Sequence, residues 1–256
     1  MRDKVNQTMT KPILILQLRP EDETSDSEFD AILKYGGLRP SAVERLRIET
    51  KGIPERLSLD DYAAVIIGGS PFDISTPEAE KSAVQKKIEQ DIHKLLDEVV
   101  ARDFPFLGAC SGNGFLGAYL QTPITRKYGE PVGVSTVTIT EAGKQDSLLE
   151  GFPEQIDVLL GHKEACDYTP NGATLLISGE QCPVQMFRVG QNVYATQFHP
   201  EGDCEGFTVR INAYKDHGYF EPHEAEALVK RLVGVQTPHA QEILRRFVQR
   251  VYQLSI

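Results

Sequence analysis

Phe106-Leu107-Gly108-Ala109-Cys110-Ser111-Gly112-Asn113-Gly114 reads as a short apolar strand that passes through a Gly-x-Cys-x-Gly turn into a helix. Upstream, Tyr62-Ala63-Ala64-Val65-Ile66-Ile67 is a second apolar run, ending in Gly68-Gly69-Ser70-Pro71, and Ile13-Leu14-Ile15-Leu16 is a third. Short continuous apolar runs suit strands buried on both faces, as in a parallel sheet. Helical patterns lie between them. Ser25 to Tyr35 carries Phe29, Ile32 and Leu33 at helical spacing and stops at Gly36-Gly37. A second helix, with Thr76 as its cap and Pro77 in its first turn, aligns Val84, Ile88, Ile92, Leu95, Leu96 and Val99 in one stripe. With a further strand near Ala42 to Ile48, the alternation predicts βαβ units: an α/β fold whose parallel sheet is covered by helices on both faces.

From Pro131 to Gln197 the pattern turns strand-rich, with candidates at Val134–Thr140, Ile156–Leu160, Thr174–Ser178, Val184–Arg188 and Val193–Phe198. A smaller antiparallel or mixed portion is expected there. The end of the chain is helical again, over Glu224–Val233 and Gln241–Tyr252, with Pro222 and Pro238 at or near the starts. Residues 1–11 are polar and expected to be flexible. Residues 12–256 are expected to form a single domain with a C-terminal helical segment from about 220, close to the largest size one core serves.

Apolar residues make up 40% and charged residues 25% of the 256, which is ordinary for a globular chain. A net charge of −10, without a Lys/Arg cluster interleaved with aromatics, argues against a nucleic-acid partner. No stretch approaches the roughly 20 apolar residues of a membrane span. The start, Met1-Arg2-Asp3-Lys4, lacks the apolar core of a signal peptide, so a cytoplasmic protein is expected. Neither Gly-x-Gly-x-x-Gly nor a Gly-Lys-Ser/Thr ending follows the Gly68-Gly69 turn, and no cofactor is expected. The cysteines, at 110, 166, 182 and 204, form no C-x-x-C pair. The histidines show no ligand spacing, so no metal site is expected and the thiols are read as free.

Cysteine context is then the informative question. In the elbow around Cys110, the flanking glycines relieve crowding at a sharp turn, and the adjoining helix N-terminus favours a thiolate. A small buried residue in a tight turn fits the same stretch equally well. Cys166 and Cys182 fall in expected loops without a base, and Cys204 lacks an elbow. Ala195-Thr196-Gln197-Phe198-His199-Pro200-Glu201-Gly202 is a strand end followed by His-Pro-Glu. Residues two apart on extended backbone share a face, so Glu201 can hold one ring nitrogen of His199 and leave the other as a base. The backbone N–H groups of the Gly68-to-Pro71 turn, with that of Ser111, suit an oxyanion, although glycines that merely permit positive φ explain the turn as well.

These three stretches, Gly-Gly-Ser-Pro-Phe after a strand, Pro-Phe-Leu-Gly-Ala-Cys-Ser-Gly, and Gln-Phe-His-Pro-Glu, resemble in order and separation the class I (triad-type) glutamine amidotransferases. Within that family they are similar to the stand-alone proteins related to the amidotransferase part of GMP synthase. The resemblance covers about residues 12 to 202. It implies a flavodoxin-like fold and hydrolysis of the glutamine side-chain amide to glutamate and ammonia. It also implies Cys110 as nucleophile, His199 as base, Glu201 as orienting acid, and Gly69 or Ser70 with Ser111 as oxyanion donors. Where the family commonly carries a substrate-holding Gln, the chain has Asn113-Gly114-Phe115, so Asn113, and His162 of Gly161-His162-Lys163-Glu164, are the expected substrate contacts.

Three functions follow from these readings. The first is a glutaminase feeding ammonia to a separate synthase partner, since no P-loop is present. The second is a γ-glutamyl hydrolase or peptidase acting on larger amides, favoured by the space a glycine leaves at position 114. The third is a non-catalytic module of the same fold.

Overall fold

A computed structural model describes residues 11–254, so all but Lys11 of the segment expected to be flexible lies outside the described residues. Among the described residues, eleven strands alternate with eight helices. The first half runs β1 (Ile13–Gln17), α1 (Asp22–Gly36), β2 (Val43–Arg47), α2 (Ile48–Lys51), β3 (Ala64–Ile67), α3 (Ala83–Ala101), β4 (Phe106–Ala109) and α4 (Ser111–Tyr119). Then come β5 (Ile124–Thr125), β6 (Glu130–Ile139), α5 (Glu141–Lys144), β7 (Gln155–His162), β8 (Ala165–Cys166), β9 (Thr174–Ser178), β10 (Met186–Val189) and β11 (Val193–Thr196). Three helices close the chain: α6 (Cys204–Ala213), α7 (Ala225–Leu232) and α8 (Pro238–Leu254).

Nine strands form one sheet in the order β2-β1-β3-β4-β11-β10-β9-β6-β7. The five from β2 to β11 are parallel, and each pair from β11 onward is antiparallel. Most of the strand-rich portion therefore extends the same sheet, and only β5 and β8 pair separately. This is a flavodoxin-like three-layer arrangement. Period-two alternation decides what each strand buries. Ile13 and Ile15 point into a cluster with Ile32 of α1 and Ile243, Phe247 and Val251 of α8. Leu14 and Leu16 point the other way, onto Ile88, Ile92 and Leu96 of α3 and Leu116 of α4. A smaller cluster joins α6 and α7 to Leu159 of β7.

The sequence placed a helix start at Thr76, but α3 begins at Ala83, because Ser82 accepts a hydrogen bond from the Gln85 N–H (3.1 Å) and acts as the cap. Residues 77–80 form a turn closed from Glu80 N–H to Pro77 C=O (2.8 Å), and Val84 is 46% exposed rather than part of the stripe. Helix α6 had no sequence counterpart. Asp203 caps it through the Gly206 N–H (2.8 Å), but its buried face mixes Phe207 and Ile211 with Arg210, which blurs the apolar period. Among the described residues no helix is long and apolar enough to cross a membrane.

Candidate active site

The C-terminal ends of four adjacent parallel strands converge, as ligand sites in open α/β sheets do. β1 delivers Arg19, β3 the Gly68-to-Pro71 turn, β4 Cys110, and β11, three residues on, His199.

Cys110 sits at φ 52, ψ −96, a backbone conformation that L-residues rarely adopt. The surroundings over-determine it. The Cys110 N–H donates to Thr196 C=O (2.8 Å), docking the elbow on the end of β11, while Cys110 C=O accepts from Asn113 N–H (3.0 Å) to begin α4. A Cβ on Gly108 would lie 2.8 Å from the backbone of Gly112, so the chain folds back on itself too closely for any side chain there.

His199 donates through Nδ1 to Glu201 Oε1 (2.7 Å), which leaves Nε2 as the acceptor. The pairing arises from a turn rather than from strand periodicity: β11 ends at Thr196, and Gly202 N–H closes onto His199 C=O (3.0 Å). Arg210 Nη2 also donates to Glu201 Oε1 (2.9 Å). Burial works against a charged Glu201, but His199 and Arg210 outweigh it and hold the carboxyl far below its usual range. Burial also lowers the His199 pKa below 6.5, and pushes the Cys110 thiol up to about 11 against the opposing pull of Arg19 and Arg210. Both shifts favour the uncharged thiol and the neutral imidazole, the direction opposite to the thiolate expected beside a helix N-terminus. Both side chains line one cleft, and no hydrogen bond joins them among the described residues.

Two clefts meet at Cys110. One is lined by His199, Arg19, Arg210 and a largely apolar wall that includes Val132, Tyr214, Tyr219 and Phe220. The other is lined by Ser111, Gly114, Lys163, Glu164 and Gln197. Cys110, Ser70 and Tyr219 border both, whereas His199 faces only the first and Ser111 only the second.

Of the expected oxyanion donors, the Gly69 N–H is already spent on Glu28 Oε2 (3.2 Å). Ser111 opens α4, where a first-turn N–H has no helical partner, and Ser70 lies beside it at the junction. Asn113 turns away from both clefts. It is fully buried, and its Oδ1 accepts from the Cys166 thiol (3.3 Å) on β8, so that cysteine is on a strand rather than in a loop. His162 borders the second cleft with both ring nitrogens committed: Nδ1 donates to Glu164 C=O (3.0 Å), and Nε2 lies 3.0 Å from Glu130 Oε2. The space beside Gly114 is filled, because a Cβ there would come within 2.7 Å of Ile74 Cδ1. Although sequence spacing showed no metal-ligand set, folding brings Glu130, His162 and Cys182 donor atoms within 4.8 Å of one another, and Gln185 Nε2 donates to the same Glu130 oxygen (2.5 Å).

Sequence reading missed Arg19, Glu28 and Arg210. Glu28, buried on α1, accepts from Arg19 Nε (2.7 Å), and its carboxylate occupies the place a side chain at Gly68 would need. The signal was present: Glu28 lies one turn before Ile32, a charge on the stripe that faces the core.

The comparisons agree with this architecture. Residues 24–213 match the family model described as glutamine amidotransferase class-I, and the chain belongs to that family. It is 25% identical to gamma-glutamyl peptidase 3 of Arabidopsis thaliana over 190 residues, 72% of each chain. It is 26% identical to a subunit of the glutamine-hydrolyzing GMP synthase of Sulfolobus acidocaldarius over 170 residues, 66% of this chain and 79% of that one. A glutamine amidotransferase structure from Thermotoga maritima superposes with a TM-score of 0.71 at 22% identity, covering 94% of this chain and 98% of the other. The chain spans 59% of the length of one further curated relative.

Proposed function

We propose that the protein is a cysteine amidase that hydrolyses γ-glutamyl amides, glutamine being the smallest, through a γ-glutamyl thioester. The carrying observation is the His199–Glu201 pair, joined at 2.7 Å and facing the same cleft as a cysteine held at φ 52, ψ −96. In the proposed cycle the Cys110 sulfur attacks the γ-carbonyl carbon as His199 Nε2 takes the thiol proton. The backbone N–H groups of Ser70 and Ser111 receive the developing oxyanion. The C–N bond breaks, and the imidazolium returns its proton to the departing nitrogen. Neutral His199 then takes a proton from water as the water oxygen attacks the thioester. Glutamate leaves, and the proton goes back to the sulfur. Glu201, anchored by Arg210, keeps the imidazole in the required tautomer and steadies its charge.

Similarity to one component of a GMP synthase supports a reading in which ammonia passes to a synthase partner. The cleft beside His199 supports another, in which the leaving group is larger than ammonia, as does similarity to a γ-glutamyl peptidase. The space at Gly114 supports neither, since Ile74 takes it. The test is to supply purified protein with glutamine and with γ-glutamyl dipeptides, following glutamate, ammonia and the released amino acid. Turnover that persists in Cys110→Ala would sink the nucleophile assignment. Absence of any turnover, with no labelling of Cys110 by a glutamine-derived electrophile, would sink the amidase itself.

A further inference from the structure

Arg210 is buried to 7% exposure, yet only one of its three nitrogens is bonded. Nη2 reaches Glu201 Oε1 at 2.9 Å and lies 3.9 Å from Glu28 Oε2. Nε and Nη1 are shut off from solvent with no hydrogen-bond partner. Unpaired guanidinium donors are costly to bury, and the stack of Arg210 on the Phe207 ring, 5.1 Å away, offers a π face rather than an acceptor. The side chain lines the cleft beside His199, as does Arg19, which is also buried and tied through Nε to Glu28. Two guanidinium groups thus border an otherwise largely apolar cleft, and that of Arg210 leaves donors unmatched.

The cleft's place relative to the reacting atoms fixes which part of a substrate it takes. His199, the acid that protonates the departing nitrogen, faces this cleft, while Ser111, the oxyanion donor, faces the other. A γ-glutamyl amide lying across Cys110 thus puts its glutamyl half towards Ser111 and its amine half towards Arg210. We infer that the cleft beside His199 is a leaving-group subsite for an α-amino acid with an apolar side chain, its carboxylate bound by Arg210 with Arg19 and its side chain against Val132, Tyr214 and Phe220. Ammonia would use neither the guanidinium groups nor the apolar wall. Charge accounting fits the assignment. Arg19 and Arg210 balance Glu28 and Glu201 at rest, and the incoming carboxylate balances the imidazolium formed when His199 takes the thiol proton.

This inference rests on the amidase reading, and a matched substrate set separates the two. The probes are glutamine, γ-glutamyl-leucine and γ-glutamyl-isoamylamide, the last being the leucine compound without its carboxylate. The expected result is a kcat/KM for γ-glutamyl-leucine at least about tenfold above that for the isoamylamide, the scale of one charge-assisted hydrogen bond. In Arg210→Gln the ratio should fall towards one. A purely structural Arg210, acting only through Glu201, would depress all three substrates alike and keep the ratio, which overturns the inference. Should that variant not fold, the ratio in the unaltered protein decides: equal rates for the leucine and isoamylamide compounds overturn it. Turnover of glutamine alone, uninhibited by free leucine, overturns it while leaving the amidase standing. Failure of all three substrates removes both readings.

Discussion

The two clefts that meet at Cys110 differ in chemistry and in how they are held. The cleft beside Ser111 carries more polar side chains than its neighbour, among them Lys163, Glu164 and Gln197, and its wall is tied down by hydrogen bonds: Glu164 accepts from the Ile74 and Ser75 N–H groups at 2.6 and 2.8 Å. The cleft beside His199 is walled by apolar and aromatic side chains, with a buried ion network at its floor that keeps donors unmatched. Each cleft holds a buried polar group without a partner, Gln197 Oε1 on one side and Arg210 Nε and Nη1 on the other, and these reward opposite ligands: an amide oxygen asks for a donor, a guanidinium for an acceptor. On the amidase proposal the glutamyl half of the substrate is constant and the amine half varies.

The sharpest way to break this picture is at the shared wall. Cys110→Ala should lower turnover of every γ-glutamyl amide by at least roughly 10³-fold, since among the described residues no other thiol borders both clefts. Purified variant and parent, compared for glutamate release at equal concentration, decide this. Retention of a tenth of the rate would show that the clefts serve some other chemistry.

The pH profile follows. His199 must be neutral to take the thiol proton, and burial lowers its pKa from 6.5. Protonation therefore disables the base only on the acid side, and kcat/KM should rise about tenfold per pH unit along a limb whose midpoint lies below 6.5. Above that limb the profile should stay level until the approach to 11, where Cys110 ionises. A break near the ordinary thiol value of about 8.5 would mean that Cys110 is not buried as described.

Next in size is Glu164→Gln, which replaces one of the two carboxylate oxygens that accept from the Ile74 and Ser75 N–H groups. It should raise KM about tenfold for glutamine and for γ-glutamyl-leucine alike. Steady-state kinetics with the two substrates side by side checks this, and an effect confined to the leucine compound would reverse the assignment of the clefts.

The parts of this site that the sequence made legible share one property: their chemistry is local. The elbow at Cys110 is visible because Gly108 is forced by its contact with the backbone of Gly112, a near neighbour. The parallel strands are visible because burial on both faces leaves an unbroken apolar run, as in Ile13–Leu16. What stayed hidden depends on residues far apart. Arg19, Glu28 and Arg210, which build the ion network around Glu201, come from β1's end, α1 and α6, and none lies in a recognisable spacing with the others. The commitment of Gly69 N–H to Glu28, and of Asn113 to Cys166, could not be seen without the fold, because each is a competition for a hydrogen bond between distant segments. His199 and Glu201 are neighbours, as expected, but a turn rather than an extended run brings them together.

The smallest expected effect concerns Gly114, where the family's usual glutamine would project into the polar cleft. Ile74, on the segment that Glu164 straps down, occupies that space, so Gly114→Gln alone is an overpacking change and should cost about 1–3 kcal/mol. Ile74→Ala in the same chain should recover most of it, since the clash is with one methyl group rather than with backbone. Thermal unfolding of the single and double variants measures both steps. The double variant then tests the cleft assignment directly: an added amide on the glutamyl side should change KM for glutamine and γ-glutamyl-leucine by the same factor. If the single variant is as stable as the parent, Ile74 yields freely, and the polar cleft is a looser pocket than the contrast with its neighbour requires.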